Sequence, residues 1–133
     1  MRVGSVALGL AAAGLVVTGC GGGGSGSNAS GNPGPVQHPA SLVADVGHND
    51  EFVISLKDPS GAAIRNLAAG TYTVNVDDES GIHNFHLTGS GVDKSTTVPA
   101  VVKQTWTVRF SPGTYSFVCD IHVSQMHGKF TVT

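Results

Sequence analysis

Within eight residues, Cys119-Asp120-Ile121-His122-Val123-Ser124-Gln125-Met126 supplies a thiol, an imidazole and a thioether. Sulfur and imidazole donors at this spacing are what a soft or borderline metal ion requires. Upstream, Ile82-His83-Asn84-Phe85-His86-Leu87 carries two more imidazoles. Alternation puts His83 on the face of Phe85 and Leu87, and His86 on the opposite face. If that apolar face points inward, His83 is a buried imidazole that needs a partner. A metal ion shared with the Cys119 loop would provide one. His86 would then be a second-layer or solvent group, and it remains the competing choice of donor. Two imidazoles and a thiolate in a plane, with a weak thioether on the axis, form the arrangement that binds copper and transfers electrons. Zinc competes for the same nitrogens and thiolate, but methionine is a poor zinc ligand.

Donors so far apart in sequence must be brought together by rigid elements, and the intervening chain supplies short strands. Tyr72, Val74 and Val76 alternate with polar residues, as do Trp106, Val108 and Phe110, and then Tyr115, Phe117 and Cys119. This period-2 pattern is that of half-buried strands. Runs at 42–46, 52–56, 82–88 and 130–132 complete an all-β reading, with Gly, Pro, Asp and Ser clusters between them. The 62–69 stretch is the one place where a short helix is expected. Ala69-Gly70-Thr71-Tyr72 and Pro112-Gly113-Thr114-Tyr115 echo each other as turns feeding strands. His48 and His127 are expected at the surface, His38 in a tether, Trp106 in the core, and Asp77-Asp78-Glu79 in a solvated turn.

Residues 1–19 are read apart from this fold. Arg2, then an apolar small-residue run, then Val17-Thr18-Gly19-Cys20, has the layout of a secretory signal ending at a cysteine. The last four residues resemble a bacterial lipobox, which makes Cys20 the expected site of lipidation. Residues 20–40 are Gly- and Ser-rich and then Pro-rich, as expected of a flexible tether with a stiffer far end. The folded domain is therefore placed at 41–133. Once the signal is removed, export to an oxidising compartment would leave that domain with one unpaired thiol, Cys119, which calls for an explanation.

The segment Gly113-Thr114-Tyr115-Ser116-Phe117-Val118-Cys119, followed by His122, Met126 and Gly128, resembles the cupredoxins, the plastocyanin-like and amicyanin-like blue copper proteins. His83-Asn84-Phe85-His86 is similar to that family's upstream ligand motif. The resemblance spans 41–133 and implies a Greek-key β-sandwich holding one type 1 copper ion that cycles between Cu(I) and Cu(II). It implies His83, Cys119 and His122 as equatorial ligands and Met126 as the axial one. Asn84 is implied as a residue tying the two ligand loops together by hydrogen bonds. Ile121 stands where family members often have proline, and the His122–Met126 spacing lies between amicyanin-like and plastocyanin-like loop lengths.

Composition narrows the function classes. The chain has 133 residues, 40% hydrophobic and 12% charged, with a formal charge of -2. That suits one domain and excludes the clustered basic footprint of a nucleic-acid binder. No nucleophile triad or paired carboxylates stand out, so an enzyme is not expected. The expectation is a monomeric, membrane-tethered, extracytoplasmic electron carrier that exchanges electrons with a redox protein partner. Ile121 and Val123, flanking His122, are expected to form its apolar docking edge. A copper-delivery module with the same ligands, and a metal-free interaction sandwich, remain the alternatives.

Overall fold

The computed structural model describes residues 41–133. The signal, Cys20, the tether and His38 lie outside the described residues. Nine strands form among the described residues: β1 (Ser41–Val46), β2 (Ile54–Lys57), β3 (Asn66–Leu67), β4 (Gly70–Asp78), β5 (His86–Gly89), β6 (Val92–Ser95), β7 (Val102–Phe110), β8 (Gly113–Val118) and β9 (His127–Val132). They make two sheets, ordered β2-β1-β4-β7 and β3-β9-β8-β5-β6. Each sheet is mixed: β1 pairs parallel with β4, and β3 parallel with β9, while the other pairings are antiparallel. The described residues thus form the all-β sandwich that the alternation predicts.

The inward faces are the predicted ones. Tyr72, Val74 and Val76 meet Trp106, Val108 and Phe110 from one sheet, and Phe85, Leu87, Tyr115, Phe117, Phe130 and Val132 pack from the other. Burying a large apolar side chain stabilises by about 1.5–3 kcal/mol, so these residues dominate the energetics of closing the two sheets together. Aromatic stacking orders the centre: Tyr115 lies on Phe130 with ring centroids 5.3 Å apart, and Phe85 on Phe117 at 5.6 Å. The two echoed turns share a device. The Tyr72 hydroxyl donates to the Ala68 carbonyl and the Tyr115 hydroxyl to the Ser111 carbonyl, each at 2.9 Å and four residues back.

Several local expectations are corrected. The 62–69 stretch forms no helix. Ala63 bridges to Lys57, the Ile64 N–H donates to the Leu56 carbonyl, and Asn66–Leu67 adds a short parallel strand beside β9. Eight residues nucleate a helix poorly, and an extended path lets Ile64 and Leu67 both reach the core. The predicted strand at 82–88 begins only at His86, because side chains take the backbone bonds before it. Ser80 Oγ accepts from the Ile82 N–H and Thr96 Oγ1 from the Phe85 N–H. Phe52 precedes its strand rather than starting it, and the strand Val92–Ser95 escaped the sequence reading.

Asp78 also departs from expectation. It continues the inward parity of Tyr72, Val74 and Val76 and is 0% exposed, with Oδ2 unpartnered. Burial pushes its carboxyl upward, against the pull of a Thr96 hydrogen bond.

Strand directions collect four connections at one end of the sandwich. Val46 lies beside both Ile54 and Asp78, and Asp78 beside Val102. His86 lies beside both Ser95 and Val118, and Val118 beside His127. Loops 47–53, 79–85, 96–101 and 119–126 therefore share that end, and these loops carry the chemistry.

Candidate metal centre

Cys119 follows the last residue of β8, and its strand parity turns the sulfur inward, where the residue is fully buried. The chain then closes a tight loop back to β9. The Cys119 N–H donates to the Met126 carbonyl at 3.0 Å, the His122 N–H to the Cys119 carbonyl at 3.1 Å and the Met126 N–H to the His122 carbonyl at 2.9 Å. These short-range bonds set the backbone of His122 and Met126 relative to that of Cys119. Met126 is fully buried, while His122 keeps partial contact with solvent.

His83 reaches the same place from loop 79–85 and is fully buried. Its Nε2 faces the Asp50 carbonyl oxygen at 3.4 Å. A carbonyl only accepts, so this contact favours Nε2–H and leaves the Nδ1 lone pair free to bind. Gly47 permits the approach. Its φ is +70°, and a Cβ there would stand 2.4 Å from Ser80 Cβ and 3.0 Å from His83 Cδ2.

His83, Cys119 and His122 are the group of potential metal donors that converges among the described residues. The two Nδ1 atoms are 3.0 Å apart, and each lies 3.7 Å from Cys119 Sγ. A point in their plane about 2.0 Å from all three exists, against ~2.0–2.1 Å for a metal–imidazole bond and ~2.3 Å for a metal–thiolate bond. The donor triangle fits one first-row metal ion with only a small outward movement of the sulfur. Its two imidazoles, one thiol and neighbouring buried Met126 make a set able to hold copper. The unpaired thiol of the described domain thereby acquires a chemical reason.

His86, the competing donor, is excluded from this triangle. Its Nδ1 meets Asp120 Oδ1 at 2.8 Å and its Nε2 meets Asp93 Oδ1 at 2.9 Å. Hydrogen bonding to Asp120 raises the affinity of the ring for its proton, Asp93 adds to this, and partial burial opposes both. Asn84 joins the two loops by hydrogen bonds. Its Oδ1 accepts from the Asp120 N–H at 2.8 Å and its Nδ2 donates to Asp120 Oδ2 at 2.7 Å, so the residue after His83 is tied to the residue after Cys119. Partial burial pushes the Asp120 carboxyl upward, but its bonds to His86 and Asn84 outweigh that and hold it below the usual carboxylate value.

The sequence reading missed Phe52, which lies edge-on to His122 at 4.7 Å and to His83 at 5.2 Å while remaining 51% exposed. It is one of seven large apolar residues exposed among the described residues, with Val53, Ile82, Val98, Val101, Ile121 and Val123. All seven lie in the four loops at the His122 end. The expected docking edge of Ile121 and Val123 is thus part of a wider apolar cap. The only advance signal for Phe52 was an apolar side chain beside the turn-forming Gly47-His48-Asn49-Asp50.

No protein-family profile matches the chain, and no curated protein sequence matches it. Solved structures do. Reduced rusticyanin superposes with a TM-score of 0.53 at 21% identity, covering 70% of this chain and 78% of that one. A second rusticyanin structure, described as that of a copper protein, gives 0.53 at 20% identity over 70% and 76%. A structure of rusticyanin variants gives 0.51 at 24% identity over the same shares. The chain has the cupredoxin fold. Within that cupredoxin sandwich, the donor triangle occupies the loop end at which both sheets deliver their connections.

Proposed function

We propose that this protein is an extracytoplasmic one-electron carrier, anchored to a membrane through a lipidated Cys20 and built around one copper ion. The observation that carries the proposal is the convergence of two imidazole nitrogens and one buried thiol on a single point about 2.0 Å from each. His83 and His122 would hold the ion through imidazole nitrogen and Cys119 through its thiolate, with the Met126 thioether as a weak fourth donor. A bound copper ion would supply a reversible Cu(I)/Cu(II) couple.

The protein's part is to keep the donors from moving between the two states. His83 and Cys119 are fully buried, so water and exogenous ligands have no direct path to these two donors. A dry donor set with little freedom needs little reorganisation and leaves no position for a substrate, which fits a carrier and not an enzyme. His122 is the donor with an edge toward solvent, and exposed apolar residues flank it, with Phe52 against its ring and Ile121 and Val123 on either side in sequence. A redox partner would dock there over a small surface, below about 1,200 Å², and leave quickly.

The test is an absorption spectrum of the protein after stoichiometric Cu(II) addition, in a Cys20→Ser background with Cys119→Ser as control. An intense band at ~600 nm that disappears in the control is expected from thiolate-to-Cu(II) charge transfer in a trigonal site. A folded protein that stays colourless would overturn the reading.

A further inference from the structure

The Asn84–Asp120 pair leaves open what holds the Asp120 carboxylate, which lies at the surface and is free by its own rotamers to swing into water. His86 answers this. Its two ring nitrogens meet Asp120 at 2.8 Å and Asp93 at 2.9 Å, so the ring cannot turn without losing a bond. Its backbone sits between Ser95 and Val118 in the five-stranded sheet, which fixes the ring's origin. Both Asp120 oxygens are then engaged, one by His86 and one by Asn84, while the Asp120 N–H donates to Asn84 Oδ1.

We propose that His86 is a positioning residue of the metal centre: braced by Asp93, it sets the Asp120 carboxylate against Asn84 and so locks the loop carrying His83 to the loop carrying Cys119. Isolated surface ion pairs are worth little. This one differs because its members form a chain of bonds crossing β6, β5 and both ligand loops, and bonds in such a network reinforce one another. The consequence for copper rests on the proposed function, whereas the locking itself is a property of the metal-free protein and is measured separately.

The experiment compares wild type with His86→Leu, which removes both donors, and His86→Gln, which retains one amide donor. In metal-free protein, amide hydrogen exchange at Asp120 is expected to be about tenfold faster in His86→Leu and intermediate in His86→Gln, from loss of a charge-assisted bond. The amides of Val74 and Val108, in the far sheet, are expected to be unchanged. Cu(II) affinity is expected to fall by about 10–100-fold in His86→Leu, with partial recovery in His86→Gln. Unchanged Asp120 exchange in His86→Leu would overturn the proposal. So would faster exchange with unaltered copper affinity, because the lock would then not reach the ligands. Wild-type protein that takes up no copper would refute the proposed function, and the exchange comparison would still decide whether His86 locks the loops.

Discussion

Gly128, the second residue of β9, pairs with Phe117 of β8, and the tip of the Phe117 ring lies against it. A Cβ at this position would stand 2.2 Å from Cζ, 2.5 Å from Cε2 and 2.9 Å from Cε1 of that ring. Carbon atoms pack at ~3.5–4.0 Å, so the ring would have to retreat by more than an ångström. Behind it lies Phe85, stacked at 5.6 Å in an interior that packs without spare volume. Overpacking of this kind costs about 1–3 kcal/mol. Replacing glycine with alanine returns only about 0.4–1 kcal/mol through the unfolded chain, so the clash wins. Gly128→Ala is therefore expected to lower Tm by several degrees, at about 4–8 °C per kcal/mol for a domain of this size. The decisive assay is a double-mutant cycle by urea unfolding with Phe117→Leu, which removes the obstructing ring atoms. The double variant should be no less stable than Phe117→Leu alone, giving a coupling energy of about 1–2 kcal/mol. If the two effects instead add to within about 0.5 kcal/mol, the ring is not what meets the new methyl group and the reasoning fails.

Asp78→Asn is expected to raise Tm by a few degrees at neutral pH, because it removes a buried charge while keeping the side-chain volume. The raised Asp78 carboxyl means that this group's contribution to stability is fully present below 3.8, its ordinary value, and is lost as pH rises through the folded value, so the advantage of the variant should vanish in acid. For His86 the folded value is raised from 6.5, so its stabilising contribution is full below 6.5 and is lost as pH climbs through the folded value. Urea unfolding of metal-free His86→Gln across this range should show a deficit that shrinks with increasing pH, and a constant deficit would contradict the ion-pair account. Phe52→Ala strips the ring from both imidazoles. Diethyl pyrocarbonate should then modify His122 several-fold faster while urea stability changes by less than about 1 kcal/mol, as expected for a half-exposed side chain.

What the sequence determined by itself is what depends on neighbours along the chain. The inward faces of Tyr72-Val74-Val76 and Trp106-Val108-Phe110 follow from a strand period of two residues, and so does the inward sulfur of Cys119. The Cys119–His122–Met126 set was legible because one short loop, closed by its own backbone bonds, holds all three. The inward turn of His83 follows from its parity with Phe85 and Leu87, even though the strand starts only at His86. Tertiary structure decided whatever depends on distant partners. The 62–69 stretch has alanines suited to a helix, but β9 offers an edge and the core offers burial to Ile64 and Leu67. Asp78 looked solvated within its acidic run, yet the register of β4 carries it inside. By sequence His86 competes as a donor, because nothing local shows that Asp93 and Asp120 converge on it from two other elements. The apolar cap is invisible in sequence for the same reason: its seven residues belong to four loops, which meet only because the strand directions bring them to one end.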